Sequence, residues 1–86
     1  RRYNFTKAFL GTSGVSVSQG FTTPDPEASA LKALAASRAK AVYMLADSSK
    51  FGRITAAAIL PLDEAMIITD QTPERKYLDS ADVIAV

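Results

Sequence analysis

The chain of 86 residues carries ten basic and nine acidic side chains and contains no cysteine, histidine or tryptophan. Without cysteine or histidine, it has no disulfide, no thiolate or imidazole metal site, and no Ser-His-Asp or Cys-His catalytic unit. A net charge of +1 without a basic cluster argues against nucleic-acid binding by this segment alone. The sequence also contains no run of about 20 apolar residues, the length needed to span a membrane.

The first predicted element is a strand at residues 5–10, whose sequence FTKAFL ends at Gly11. Residues 11–25 are polar and glycine-spaced, so they predict a long loop or hairpin-like backbone. Connections of this length in a compact domain are more often functional or internally structured.

A helix is predicted next, over residues 26–39. Pro26 disfavours helical backbone at Asp25 and suits a first helical position, so Asp25 is the expected N-cap. The run that follows is rich in alanine, leucine and lysine, which favour helix formation.

Helical periodicity predicts which side of this helix faces inward. At about 100° per residue, one stripe contains Glu27, Leu31, Leu34 and Arg38, so Glu27 is expected to point toward the sheet and its crevice. The alternative is that the helix dipole favours a first-turn glutamate whichever way it faces. Lys32 lies about 140° from Glu27 and is predicted to be a solvated surface lysine.

The remaining residues predict alternating strands and short helices. A continuous apolar run at 42–46 is typical of a strand covered on both faces, as in a parallel sheet. Residues 54–60 fit either a helical turn or a strand. The other predicted elements are a helical turn at 61–64, a strand at 66–69, a helix at 73–80 capped by Thr72, and a strand at 82–86. This order predicts an α/β fold with a mostly parallel sheet and flanking helices.

Ligands of open α/β sheets bind outside the carboxyl ends of the strands, which directs attention to three places: residues 11–14, residues 47–50 and Asp70. Asp47 follows a buried strand and Lys50 lies three residues later. A carboxylate and an ammonium there suit the hydroxyls and the phosphate of a polyol phosphate. The simpler alternative is that Asp47 caps a turn, Lys50 is solvated and Asp70 is a plain cap.

Further candidate ligand contacts lie before the predicted helix: Gly11, Thr12, Ser13, Gly14, Thr22 and Thr23. The glycine turn could offer backbone N–H groups, and the two threonines could donate hydroxyls. Two glycines more often mean only a tight turn. The helix N-terminus itself is a poor phosphate cradle, because Pro24 and Pro26 lack N–H groups and Glu27 adds a like charge.

Taken together, these segments resemble the C-terminal effector-sensing domain of DeoR-family bacterial transcriptional regulators. The matching stretches are FLGTSG at 9–14, GFTTP at 20–24, Glu27 with its helix, LADSSKFG at 45–52 and IITD at 67–70. The resemblance covers residues 3–86, and the order and spacing of five segments carry it.

The resemblance implies a sensor with a ribose-5-phosphate isomerase-like fold that binds a phosphorylated sugar, with Glu27, Asp47 and Lys50 around it. Such a sensor controls operator DNA binding through an N-terminal winged helix-turn-helix. Residues 1–86 would be the second half of the sensor, so DNA would be contacted only through the absent domain. The resemblance further implies a homo-oligomer, and no cofactor is expected. Because the sequence has no membrane-spanning run, no signal-peptide pattern and neither cysteine nor histidine, we expect a cytoplasmic protein with no membrane contact and no metal.

Two other functions remain open. The isomerases have acidic residues in the glycine turn, where this chain has Thr12 and Ser13, so binding without turnover is favoured over a sugar-phosphate isomerase or deaminase fragment. Alternatively, this half serves mainly oligomer contacts, for which the apolar run at 54–60 is a candidate.

Overall fold

The computed structural model describes residues 5–86 as two sheets and two helices. The elements are β1 (Phe5–Gly11), β2 (Gly14–Ser16), β3 (Gly20–Thr23), α1 (Pro26–Ser37), β4 (Ala39–Leu45), β5 (Ala57–Leu60), β6 (Met66–Thr69), α2 (Arg75–Ser80) and β7 (Asp82–Ala85). Single 3-10 turns lie at Ser48–Lys50 and Leu62–Glu64.

The main sheet has the strand order β1-β4-β6-β7, and all its neighbouring strands are parallel. This confirms the predicted α/β class with a mostly parallel sheet. Strand β6 has the predicted bounds, whereas β4 begins at Ala39, ahead of the apolar run that predicted it.

A small antiparallel sheet, in the order β2-β3-β5, contains the residues predicted as a long loop. The connection between β1 and α1 is therefore internally structured, and the ambiguous run at 54–60 contributes strand β5. Gly20 begins β3 with φ +72, and a Cβ there would overlap the carbonyl oxygen of Leu60. The close approach of β3 to β5 therefore needs glycine at this position.

The hydrophobic core lies between one face of the main sheet and the antiparallel sheet. Its buried members are Val15, Phe21, Met44, Ala46, Ile59, Leu62, Ile67 and Tyr77. Tyr77 closes the core from α2, and its hydroxyl donates a 3.4 Å hydrogen bond to the carbonyl of Val15. The phenol therefore has a partner although its ring is fully enclosed.

The two helices differ in how well their starts were predicted. The Asp25 carboxylate accepts the backbone N–H of Glu27 at 2.9 Å, which confirms the predicted N-cap of α1. Helix α2 begins at Arg75 and Glu74 precedes it without a side-chain cap, so the predicted start with Thr72 as N-cap is wrong.

The predicted inward stripe of α1 is also wrong. Leu31 and Leu34 are 68% and 50% exposed, whereas the buried side chains of the helix are Ser29 and Ala36. The Ser29 hydroxyl donates to the carbonyl of Ala58 in β5 at 2.5 Å. Small side chains face inward because the helix backbone lies close to the antiparallel sheet.

The second face of the main sheet, here called the open face, carries several exposed apolar side chains. It is formed by Phe9, Tyr43, Leu45, Ile68 and Ile84, which neighbour one another across the strands. Phe9 is 57% exposed and its ring stacks on Tyr43 with centroids 4.9 Å apart. Parallel sheets are normally covered on both faces, so this exposure of apolar side chains is unusual for such a sheet.

Candidate functional site

Three strands of the main sheet end side by side and form the carboxyl edge at which the predicted site lies. Gly11 of β1 is in register with Leu45 of β4, and Leu45 is in register with Ile68 of β6. Residues 11–14, residues 47–50 and Asp70 follow these strand ends directly. The topology therefore brings the three predicted segments to one edge.

Asp47 caps the turn that follows β4. Its Oδ1 accepts the backbone N–H of Ser49 at 2.9 Å and also the Ser49 hydroxyl. These two hydrogen bonds lower the pKa of Asp47, and the positive charges of Lys50 and Arg53 lower it further. The carboxylate is exposed and ionised at neutral pH, so it both caps the turn and presents negative charge at the edge.

Asp70 fixes the same turn from the neighbouring strand. Its Oδ1 accepts the backbone N–H of Ser48 at 2.6 Å and the hydroxyl of Thr69 at 3.3 Å. Its Oδ2 lies 3.5 Å from the Ser48 hydroxyl. Asp70 is therefore a cap, as the simpler alternative had it, but the turn that it caps follows a different strand.

Lys50 ends the turn that Asp47 begins. Its backbone N–H donates to the carbonyl of Asp47 at 3.0 Å, which closes the turn, and its side chain is half-buried. The ammonium lies close enough to Asp47 to lower the pKa of that carboxyl, as does the guanidinium of Arg53. The turn thus combines an ionised acceptor with positive charge, and the role of both groups in binding a ligand stays a prediction.

The threonines near the glycine turn have partners inside the fold. The buried Thr12 hydroxyl lies 2.9 Å from the carbonyl of Gly14 and 3.0 Å from that of Thr22. The Thr22 hydroxyl accepts the N–H of Thr55 at 3.0 Å. Gly14 and Thr23 are buried as well, whereas Gly11 is exposed and Ser13 is half-buried. Of these candidates, Gly11 and Ser13 have the surface that a ligand could reach.

Glu27 is exposed in the first turn of α1. Because Leu31 of the same stripe points to solvent, the periodicity that placed Glu27 toward the crevice does not hold. Its role as a ligand contact stays a prediction.

Lys32 is the residue that the sequence reasoning missed. Its side chain is half-buried, and Nζ donates a 2.6 Å hydrogen bond to the carbonyl of Gly11 at the end of β1. The prediction of a solvated lysine is wrong, because it followed from the inverted helix face. Had Ser29 and Ala36 been taken as the inward stripe, Lys32 would have been placed on its flank.

The two largest concavities among the described residues lie away from the charged groups of the Asp47–Lys50 turn. Two cavities of about 440 and 450 Å³ lie at the amino ends of the strands, around residues 58–63 and around Lys40 and Glu64. A smaller one, of about 200 Å³, adjoins the Asp47–Lys50 turn and is lined in part by Ser48, Phe51 and Gln71. Asp47 and Lys50 do not line this concavity, and its charged lining residue is Glu74. The candidate site is therefore placed at the carboxyl edge of the sheet by its charged groups and not by a cavity.

Within residues 5–86, no group of three or more acidic side chains is arranged to hold a metal ion. No helix in that range is long and apolar enough to cross a membrane.

Comparison with known proteins gave one family and several relatives. A family model described as the DeoR C terminal sensor domain matches residues 1–71. The chain is 49% identical over 76 residues to the uncharacterized HTH-type transcriptional regulator FruR of Bacillus subtilis, covering 88% of this chain and 30% of the relative. It is 37% identical over 89 residues to the HTH-type transcriptional regulator GlpR of Haloferax volcanii, covering 99% and 35%.

A third relative is the HTH-type transcriptional regulator IolR of Bacillus subtilis, 36% identical over 77 residues, with 88% of this chain and 31% of the relative covered. The chain thus spans about a third of the length of the curated relatives it matches.

Proposed function

The chain belongs to the DeoR C-terminal sensor domain family, and from that membership we propose that it senses a phosphorylated sugar for a transcriptional regulator. The family and the relatives support a regulator's sensing domain rather than an enzyme. The choice of a phosphorylated sugar as the ligand rests on the chemistry of the carboxyl edge.

The observation that carries the proposal is the turn from Asp47 to Lys50. Asp47 uses Oδ1 to cap the turn, so Oδ2 remains available to accept hydroxyls of a sugar. Lys50 provides an ammonium at the same place, and a phosphate monoester carries close to two negative charges near neutral pH. Asp70 holds this turn against the neighbouring strand, so the two groups are positioned before a ligand arrives.

We further propose that the sugar phosphate is bound without being converted. Isomerisation needs a positioned base and a second group that handles the oxygens of the sugar. Thr12 and Ser13 provide no carboxylate in the glycine turn, and the Thr12 hydroxyl is engaged with backbone carbonyls. The edge therefore offers binding groups and lacks the paired acid and base of an isomerase.

In the full-length regulator, effector binding at this edge would change the affinity of a DNA-binding domain for its operator. The relatives are named HTH-type regulators and are about three times as long as this chain. We propose that their remaining length holds the first half of the sensor and a winged helix-turn-helix, and that the parent protein is a homo-oligomer.

The test uses the purified full-length parent and three phosphorylated compounds: the sugar phosphates ribose 5-phosphate and fructose 6-phosphate, and the polyol phosphate glycerol 3-phosphate. Calorimetry should detect binding of at least one of them, with the dephosphorylated compound binding much more weakly. Operator affinity should change when the bound compound is added, and NMR should show no conversion of it. Binding of none of the three, or turnover above the buffer rate, would contradict the proposal.

A further inference from the structure

We propose that Lys32 is a second cation of the effector site, which binds the effector's anionic group from α1 while Lys50 binds it from the turn after β4. This inference rests on the proposed function and adds a residue that lies far from Lys50 in the sequence. It also specifies the ligand class as one with a terminal dianion.

The position of the Lys32 ammonium follows from a single contact. Nζ lies 2.6 Å from the carbonyl oxygen of Gly11, and Gly11 is the last residue of β1. Gly11 is in register with Leu45, and the Asp47–Lys50 turn begins two residues after Leu45. Two lysines from separate elements therefore approach neighbouring strand ends.

The surroundings of Lys32 leave it free to bind an anion. A lysine ammonium has three N–H donors, and the Gly11 carbonyl uses one of them. The ion pair found among the described residues joins Arg75 to Asp79 on α2, so no described carboxylate neutralises Lys32. Around Gly11 the space is open, since an added Cβ would meet no atom within 4 Å.

A lysine whose only function was to tie α1 to β1 would not need its charge. A carbonyl also accepts a hydrogen bond from a neutral amide, although a weaker one, so glutamine could keep a donor in that structural role. An anionic ligand loses more than the carbonyl does when the charge is removed, because the attraction between two full charges disappears with the ammonium. Neutralising Lys32 without removing its donor therefore separates the two roles.

The same reasoning selects the class of ligand. Cations on both sides favour a terminal phosphate, which carries charge close to −2 and has three acceptor oxygens. A neutral sugar would gain little from either ammonium. Binding should therefore depend on the phosphate and weaken with salt.

The experiment compares Lys32→Gln, Lys32→Arg and Lys40→Gln in the full-length parent. The probe is the phosphorylated compound that the wild-type parent binds among the three tested above, together with its dephosphorylated form. Lys40 is the matched control because it is an exposed lysine at the start of β4, on the opposite edge of the sheet. Affinity is measured by calorimetry at two salt concentrations, with a thermal melt of each variant.

We expect Lys32→Gln to weaken binding of the sugar phosphate by about tenfold or more, with a smaller salt dependence and an unchanged melt. Lys32→Arg should stay within about fivefold of wild type and Lys40→Gln within about threefold. Binding of the dephosphorylated compound should be the same in all variants.

Two results would overturn the assignment of Lys32. One is wild-type affinity in Lys32→Gln while the wild-type parent binds the probe. The other is an equal loss in Lys32→Gln and Lys32→Arg together with a lower melting temperature, as expected of a structural tie. If the wild-type parent binds none of the three probes, the proposed function fails and this inference fails with it.

Discussion

Asp70 accepts the backbone N–H of Ser48 at 2.6 Å, so the end of β6 holds the turn that follows β4. This contact joins two strand ends that are neighbours in the sheet but more than 20 residues apart in the chain. Because the turn carries Asp47 and Lys50, the position of both candidate ligand groups depends on a carboxylate that does not belong to the turn.

Replacing Asp70 should therefore weaken effector binding indirectly. Asp70→Ala removes the acceptor of the Ser48 N–H and is expected to weaken binding by about three- to tenfold, within the range of one hydrogen bond. Asp70→Asn keeps an acceptor oxygen and should stay within about threefold. Asp79→Ala, on the exposed surface of α2, is the control. Calorimetry on the parent protein decides, and wild-type affinity in Asp70→Ala would show that the turn holds its shape alone.

Lys50 should contribute more than any other residue of the turn. A partly desolvated contact between ammonium and phosphate contributes on the order of 1.5–3 kcal/mol. Lys50→Ala in the parent should thus weaken effector binding roughly ten- to a hundredfold, and Lys40→Ala by less than about threefold. Operator affinity measured without effector should be the same in both variants. Equal effector affinity in Lys50→Ala and wild type would move the site away from this strand end.

The pKa of Asp47 offers a test that needs no ligand. The Ser49 hydroxyl and N–H hold this pKa below its ordinary value of 3.8. Ser49→Ala removes the hydroxyl and keeps the N–H, so the pKa should rise toward the ordinary value. An NMR titration of the Asp47 side-chain carboxyl in both forms measures the change, with Ser18→Ala as a control at the distant β2–β3 turn. An unchanged pKa would contradict the hydrogen bond from the hydroxyl.

The same shift predicts how the turn responds to acid. Because the folded state lowers the pKa of Asp47, its ionised form stabilises the fold at every pH above the ordinary value. That contribution is lost as the pH falls through the lowered pKa, when the carboxylate is protonated and no longer caps the turn. Ser49→Ala should therefore reduce the acid dependence of stability, and chemical denaturation at neutral and acidic pH measures the difference.

Of the two glycines in the turn at 11–14, only Gly14 should be sensitive to replacement by alanine. A Cβ on Gly14 would overlap the carbonyl of Arg53 and crowd the hydroxyl of Thr22, whereas a Cβ on Gly11 would meet nothing within 4 Å. Gly14→Ala should destabilise the parent by about 1–3 kcal/mol, the usual cost of overpacking. Gly11→Ala is the matched control and should melt like wild type. Equal melts for the two variants would contradict the close approach of β2 to residue 53.

The open face predicts how the 86-residue chain behaves by itself. Exposed apolar area on a parallel sheet favours pairing, so the isolated chain should self-associate. Phe9→Lys with Ile84→Lys should reduce association without loss of secondary structure, because neither side chain is in the core. The same pair should destabilise the parent if the rest of the sensor covers the face. Sedimentation and thermal melts decide, and a compact wild-type monomer with a concentration-independent melt would contradict the prediction.

Much of the main sheet was predictable because its signals are local. The apolar run at 66–69 is short, is bounded by turn residues and lies buried or half-buried in the sheet, so β6 has the expected bounds. Asp25 and Pro26 fix the start of α1 by backbone geometry alone. The pairing of β5 with β3 is not local, and no pattern at 54–60 distinguishes a strand from a turn.

The face of α1 could not be predicted because apolar character was equated with burial. In this helix the inward side chains are small, since the helix lies against β5 through Ser29, and the larger leucines point outward. Because the wrong face of α1 was predicted to point inward, Lys32 was predicted to be solvated, whereas it contacts Gly11 from the flank of the inward face. The turn from Asp47 to Lys50 was found because it follows a buried strand directly, whereas a contact made by a distant helix leaves no spacing to detect.

The stacked pair of Phe9 and Tyr43 gives the molecule an optical reporter of its own. With no tryptophan in the chain, tyrosine emission is not lost to an indole acceptor. Tyr43 lies on the open face while Tyr77 is enclosed in the core, so the fluorescence of these two tyrosines depends on the environment of opposite faces of the main sheet. A chain that keeps only Tyr43 would report the covering of the open face by its fluorescence. One that keeps only Tyr77 would report unfolding of the core, so docking and folding could be followed separately without an attached dye.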